Sequence, residues 1–209
     1  LIFYKNNESK ILGRVNAIIR SYVYVETSMM FVILRERLKD RVAIEALLDD
    51  VFGVNRHHKT SYAFRDGNDP VQGLSFTAHH NEKLVGSIRF WPITLGIMGT
   101  PALLLGPLGV AQDMQNFGIG RSLISKGHMM AAKLGYKLVL LVGEEAYYGQ
   151  FGYVSACSHG LFMIGEKPTR LLVRELVKGT LKEASGNVHA LGCPQSDIIG
   201  SKIEYYANC

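Results

Sequence analysis

The sequence predicts a mixed α/β domain whose sheet is largely antiparallel, and three observations carry that prediction. Residues 74–79 and 83–91 are strand-like runs separated by turn residues around Asn81, the pattern of a β-hairpin. Residues 90–112 carry no formal charge and are interrupted by the turn Gly96-Ile97-Met98-Gly99-Thr100-Pro101, which reads as a second, buried hairpin. Residues 102–110, 118–134 and 137–142 then form a strand–helix–strand unit, with Gly135 placed to end the helix.

Around this centre the remaining elements follow in order. Residues 31–35 read as a strand, and Val42, Ile44, Leu47, Leu48, Val51 and Phe52 recur at helical spacing before Gly53. The polar, turn-rich stretch 57–73 reads as a surface loop of the kind that meets substrate. A short helix is expected near 146–151, with strands near 161–164 and 171–173. Residues 1–28 mix polar turns with an apolar-basic run and precede Met29-Met30, so 1–30 reads as a leader or accessory segment. The domain is expected over 31–191, followed by a tail over 192–209.

Composition narrows the function classes. A chain of 209 residues with 47% hydrophobic content supports one full-sized core. Its net charge of +5 and pI near 9.1 are spread over scattered Lys and Arg that alternate with Asp and Glu. No basic block stands out, so a mild preference for anionic ligands is expected and nucleic acid is not. Residues 90–112 are as long as the roughly 20 residues of a membrane span. Pro92, Pro101 and Pro107 with Gly96, Gly99, Gly106 and Gly109 would break such a helix repeatedly, so no membrane partner is expected. Cys157, Cys193 and Cys209 are odd in number and lack a CxxC pair, which argues against a disulfide framework and a structural zinc site. With no secretory signal, a reducing, cytoplasmic setting is expected. The pairs His57-His58 and His79-His80 suggest no metal, because neighbours on a strand face opposite ways and no third ligand stands at suitable spacing.

The most informative stretch is Leu108-Gly109-Val110-Ala111-Gln112-Asp113-Met114-Gln115-Asn116-Phe117-Gly118-Ile119-Gly120-Arg121, a strand entering a helix through a glycine-containing turn. A helix start offers unpaired N–H groups and the positive end of the dipole, so its backbone can hold a pyrophosphate. Gly118 and Gly120 allow close approach, and Arg121 adds a charged donor. A Rossmann fingerprint would need glycine at Leu123, and a Walker loop would need Gly-Lys-Ser/Thr, so neither fits. Two glycines that only shape a helix entry are the plain alternative.

Gln115-x-x-Gly118-x-Gly120 after an apolar strand resembles the Q/R-x-x-G-x-G/A acetyl-CoA motif of the GNAT N-acetyltransferase superfamily, and Ala146-Tyr147-Tyr148-Gly149-Gln150-Phe151-Gly152-Tyr153 resembles its Y-x-x-x-G-F/Y segment. Leu104-Leu105-Gly106-Pro107-Leu108, residues 143–148 and Arg174-Glu175-Leu176 are similar to an uncharacterised bacterial subgroup. The resemblance spans roughly 31–191. It implies a GNAT-like fold in which the strand ending near Val110 and the strand at 138–142 are parallel neighbours that splay apart. Acetyl-CoA would enter the gap as cosubstrate, the backbone of Leu108, Gly109 and Val110 holding its pantetheine and acetyl groups. Gln115, Asn116, Phe117, Gly118, Ile119, Gly120 and Arg121 would hold the pyrophosphate. Gly106-Pro107 stands where a strand bulge would expose those groups.

The implied reaction moves an acetyl group to a primary amine of a small molecule or protein. An inactive CoA-binding regulatory or assembly module is the alternative, and homodimer formation is left open. In the family the tyrosine of the second segment, here Tyr148, protonates the departing thiolate, while packing under the short helix is its plain role. Tyr147 is expected to pack. Glu144 and Glu145 stand equally as candidate bases or as exposed acids at a helix start.

Overall fold

The computed structural model describes residues 31–65 and 67–191, so the expected leader and tail lie outside the described residues. Nine strands and four α-helices are described: β1 (Val32–Arg35), α1 (Arg41–Phe52), α2 (Thr60–Ala63), β2 (Phe76–His80), β3 (Lys83–Leu95), β4 (Thr100–Val110), α3 (Ile119–Lys133) and β5 (Leu138–Val142) come first. The one-turn helix α4 (Glu145–Tyr148), β6 (Val154–Ser155), β7 (Leu161–Phe162), β8 (Leu171–Glu175) and β9 (Gly186–Ala190) complete them. Helix α4 is a single turn leading into a 3₁₀ turn at Gly149–Phe151. The sheet runs β1-β2-β3-β4-β5-β8-β6, with β9 on the far end of β3. It is mixed and mostly antiparallel; β4 and β5 are parallel, as are the short β7 and β9.

The two predicted hairpins form. Asn81 and Glu82 both take positive φ, 47° and 65°, the backbone of a tight two-residue turn between β2 and β3. Leu95 pairs with Thr100 across the Gly96–Gly99 turn. Strand β3 runs on past Trp91, so that the strand expected over 83–91 and the first arm of the second hairpin are one strand. Phe90 O accepts from Val71 N on the side away from β4, and strand alternation puts the Pro92 nitrogen on that side too. There Pro92 lies between the partners of β2, which end at Ile88, and those of β9, which begin at Ile93, so no ladder donor is lost.

Helices cover both faces of the sheet. Gly86 and Phe90 of β3 meet α3, whereas Arg89 turns to α1. Gly109 of β4 lies under α1, where a Cβ would stand 2.9 Å from Leu48 Cδ2. On that same side Trp91, Ile93, Leu95, Leu104, Leu140 and Val173 belong to the main buried cluster. Buried charge is paired there: Arg89 holds Glu36 through two bonds of 2.7 and 2.8 Å and Glu45 at 3.0 Å. Among the described residues no helix is long and apolar enough to cross a membrane.

Two features depart from the sequence reading. The stretch 57–73 is partly ordered into a 3₁₀ turn at Val54–His58 and α2. Strands β6 and β9 carry no strand pattern of their own, one having two residues and the other a mixed run from Gly186 to Ala190, and become strands by pairing with β8 and with β3 and β7.

The contact of α3 with β3 is close. A Cβ on Gly127 would stand 2.4 Å from Phe90 Cε2 and Cζ. Gly127→Ala should therefore lower stability by about 1–3 kcal/mol, although alanine has the better helix propensity. Urea unfolding measures the sign, and a rise in stability would show that Phe90 yields freely.

Candidate functional site

The β4–β5 ladder holds only two residue pairs, Leu103 with Val139 and Leu104 with Leu140. Beyond Leu104 the two strands part, and β4 from Leu105 to Val110 has β3 on one side and no strand on the other. The separation begins at a bulge. Between Ile88–Leu108 and Phe90–Leu105 one extra residue is inserted on β4, at Gly106-Pro107. Gly106 takes φ 133°, and its carbonyl accepts from Trp91 Nε1 at 2.5 Å, which ties the bulge to the core.

A cleft of about 490 Å³ opens where the strands part. Leu108 and Val110 of β4 form one wall, Gln115, Asn116, Gly118, Ile119, Gly120 and Arg121 its end, and Tyr147, Tyr148, Gln150 and Phe151 the other wall. The structure thus gathers eight of the ten residues expected to hold cofactor. Gly109 and Phe117 are not among the lining residues. Strand alternation turns Gly109 to α1, and Phe117 stands exposed in the turn.

The end of the cleft is a helix start. Asn116 and Gly118 take φ 67° and 80°, which turns the chain into α3. The first helical bond, Ser122 N to Gly118 O at 2.9 Å, leaves the N–H groups of Ile119, Gly120 and Arg121 without intrahelical acceptors. Gly120 keeps the floor open: a Cβ there would lie 3.1 Å from Tyr147 Oη and 3.8 Å from Val110 Cγ2. Arg121 Nη2 donates to Gln150 Oε1 at 2.6 Å and so spans the cleft's edge.

The two tyrosines differ from expectation in exposure. Tyr147, expected to pack, is 43% exposed, and its hydroxyl reaches toward Gly120. Tyr148 is the more enclosed, its ring against Gly143 and edge-on to Tyr153 with centroids 5.9 Å apart. Burial, with a smaller push from Tyr147, raises the Tyr148 hydroxyl to about 12. Glu144 accepts from Arg170 Nε at 3.0 Å, whereas Glu145 lines neither cleft.

A second cleft, of about 600 Å³, adjoins the first and shares Phe52, Leu108, Tyr147 and Tyr148 with it. The segment Arg56 to Arg65 and the stretch Gly165 to Arg170 wall it on either side of Gly106-Pro107. Thr60 Oγ1 donates to Gly165 O at 2.9 Å and joins those walls. Arg56 is buried, bonded to Glu45, Asp49 and the Tyr62 hydroxyl at 2.5–2.7 Å. Sequence reading had marked this segment only as a substrate-facing loop; no local pattern singles out Arg56 or Arg65. Among the described residues no group of three His, Cys, Asp or Glu gathers as metal ligands.

This fold and these clefts define an acetyltransferase architecture, and residues 36–156 match the family described as Acetyltransferase (GNAT) domain, to which the chain belongs. Over 122 residues it is 26% identical to the uncharacterized N-acetyltransferase YhbS of Escherichia coli K12, covering 58% of this chain and 72% of that protein. It is 29% identical over 104 residues to the uncharacterized N-acetyltransferase YjhQ of the same strain, covering 49% of this chain and 58% of that one. The crystal structure of E. coli YhbS in complex with CoA is similar, with a TM-score of 0.68 and 25% identity over 77% of this chain and 89% of that one. A GNAT family acetyltransferase from Brucella melitensis, in complex with acetyl-CoA, shares the fold at a TM-score of 0.59 and 22% identity, covering 77% of this chain and 96% of that chain.

The tyrosine wall is held from behind by a buried polar chain. Arg174 Nη1 donates to His128 Nδ1 at 2.8 Å and to the Phe151 carbonyl, so the neutral His128 carries its proton on Nε2 and donates to Tyr153 Oη at 2.8 Å. Burial, helped by the Arg174 charge, lowers His128 to about 3. A histidine neutral when folded binds its proton first in the unfolded chain, so stability is full above about pH 6.5 and falls as pH drops from there toward 3. Between pH 7 and pH 5 this group should cost about 1–2 kcal/mol, and His128→Gln should flatten that slope. Urea titrations at the two pH values measure it; equal slopes in both proteins would place the proton uptake elsewhere.

Proposed function

We propose that the chain is an acetyl-CoA-dependent N-acetyltransferase, in which the first cleft takes acetyl-CoA and the second takes a primary amine. The observation that carries the reading is the pair of clefts meeting at Leu108, Tyr147 and Tyr148, one ending on free helix N–H groups and one walled by α2. That helix start suits a pyrophosphate, because its donors and dipole face an anion without spending a buried charge. The unpaired edge of β4 offers backbone groups to the amide-bearing arm of acetyl-CoA. The CoA complex of the YhbS protein supports a CoA thioester as the cosubstrate.

In this reading the amine attacks the thioester carbonyl from the second cleft after losing a proton to water or to a carboxylate at the mouth. The carbon–sulfur bond then breaks, the thiolate departs, and the nitrogen gives its second proton to water. Tyr148 is protonated across the working range, since its hydroxyl titrates near 12. Full proton transfer from it to a thiolate of pKa about 8.5 would run uphill by roughly 3.5 units, about 5 kcal/mol. Its contribution is therefore a hydrogen bond to the developing sulfur charge, with solvent supplying the proton afterwards.

Two measurements test the reading. Gly120→Val fills the space between Tyr147 and Val110, so acetyl-CoA affinity by calorimetry should fall at least about tenfold with little loss of stability. Unchanged affinity would remove the first cleft as the cofactor site. Tyr148→Phe should lower kcat by about 10- to 100-fold, the worth of a hydrogen bond to a charged group, and leave acetyl-CoA affinity intact. Wild-type turnover with a saturating acceptor would assign Tyr148 to packing.

A further inference from the structure

The second cleft contains a cation that has no counterion among the described residues. Three arginines crowd beneath it, and two are matched: Arg89 to Glu36 and Glu45, Arg56 to Glu45 and Asp49. Arg65 has no such match. Its Nε and Nη1 are buried and without hydrogen-bond partners among the described residues. Ring faces hold it instead, with Tyr62 4.1 Å and Trp91 5.8 Å from the guanidinium carbon. Its Nη2 lies 3.3 Å from where a Cβ on Gly106 would stand, so the fork rests over the strand bulge on the cleft wall.

The buried arginines Arg56 and Arg89 are paired with carboxylates. Leaving a buried guanidinium unpaired is costly, and the cost is removed when an anion enters. Burial lowers Arg65 to about 10, Arg56 and Arg89 push the same way, and the Tyr62 hydroxyl opposes them while already accepting from Arg56. Arg65 still carries its charge at neutral pH. Lys59, Lys167 and Arg170 also line this cleft against Glu144 and Glu166, and Glu144 is bonded to Arg170. The field at its mouth therefore draws anions in.

We propose that the acceptor is an amine that also bears a carboxylate, which docks on the Arg65 guanidinium at Nη2 while the amine faces the shared Leu108–Tyr148 end. This deepens the acetyl-transfer reading and rests on it. A carboxylate brings one charge to one unpaired cation and accepts a charge-assisted hydrogen bond from it. A phosphate dianion would leave excess negative charge in the same buried place.

The test titrates the full chain, saturated with CoA, with alanine, leucine, phenylalanine and 4-aminobutyrate, each beside its carboxamide, and with O-phosphoethanolamine. At least one acid should bind tenfold or more tightly than its carboxamide. Arg65→Gln should bring that ratio near one with CoA affinity unchanged, and Arg65→Lys should keep part of it. The proposal is overturned if every carboxamide binds as well as its acid, if O-phosphoethanolamine binds best, or if no acid binds to protein that binds CoA. It is overturned equally if Arg65→Gln lowers the melting temperature but keeps the acid preference, which would make Arg65 a packing residue. Absence of CoA binding fails the acetyl-transfer reading instead, and the acid-to-carboxamide ratio on the free chain then decides the role of Arg65 alone.

Discussion

The parallel pairing of β4 with β5 stops after two residue pairs, and the rest of the site depends on that interruption. A sheet has every reason to continue its ladder, because each unpaired buried N–H or carbonyl costs free energy. Here the bulge at Gly106-Pro107 turns β4 away, while the Trp91 indole bonds the Gly106 carbonyl and keeps the bulge anchored. What would be a defect in a continuous sheet becomes a strand edge lined by Leu108 and Val110, open on one side and rigid on the other.

Rigidity on either side of the gap is built from different chemistry. On the α1 side, Glu36, Glu45 and Asp49 share the charges of Arg56 and Arg89, so helix, turn and strand are linked by bonds in the 2.5–3.0 Å range. Removing one partner of such a set leaves a buried charge, at a cost of about 3–5 kcal/mol. On the tyrosine side, His128, Tyr153 and Arg174 form a largely buried chain whose single cation is matched by acceptors rather than carboxylates. That chain reaches the Phe151 carbonyl, so α3 and β8 together set where the short helix carrying Tyr147 and Tyr148 lies.

Exposure separates the two adjacent tyrosines. Tyr147 faces the glycine floor of the first cleft and stays accessible, whereas the Tyr148 ring closes against Gly143 at the junction of both clefts. A buried hydroxyl with a high pKa is a dependable hydrogen-bond donor and a poor source of a free proton. Arg65 stands in a similar relation to its surroundings: aromatic faces and burial position its charge, with Nε and Nη1 buried and Nη2 beside Gly106 on the cleft wall.

Local features of the chain were enough for the central strands, for α1 and α3, and for the glycine turn that opens α3, because hydrophobic period, turn residues and helix signals act over a few neighbours. The placement of Gln115, Gly118 and Gly120 at a cleft end followed from the same locality. Other features needed the folded chain. Strands β6 and β9 exist through their partners, β3 runs on through Pro92 because one of its sides is vacant there, and Gly109 and Phe117 leave the cleft through strand alternation and turn geometry. Above all, Arg65 looks in sequence like any arginine of a polar loop. Its meaning arises only where segments distant in the chain meet, because whether a charge is buried and whether it has a partner are properties of space and not of sequence.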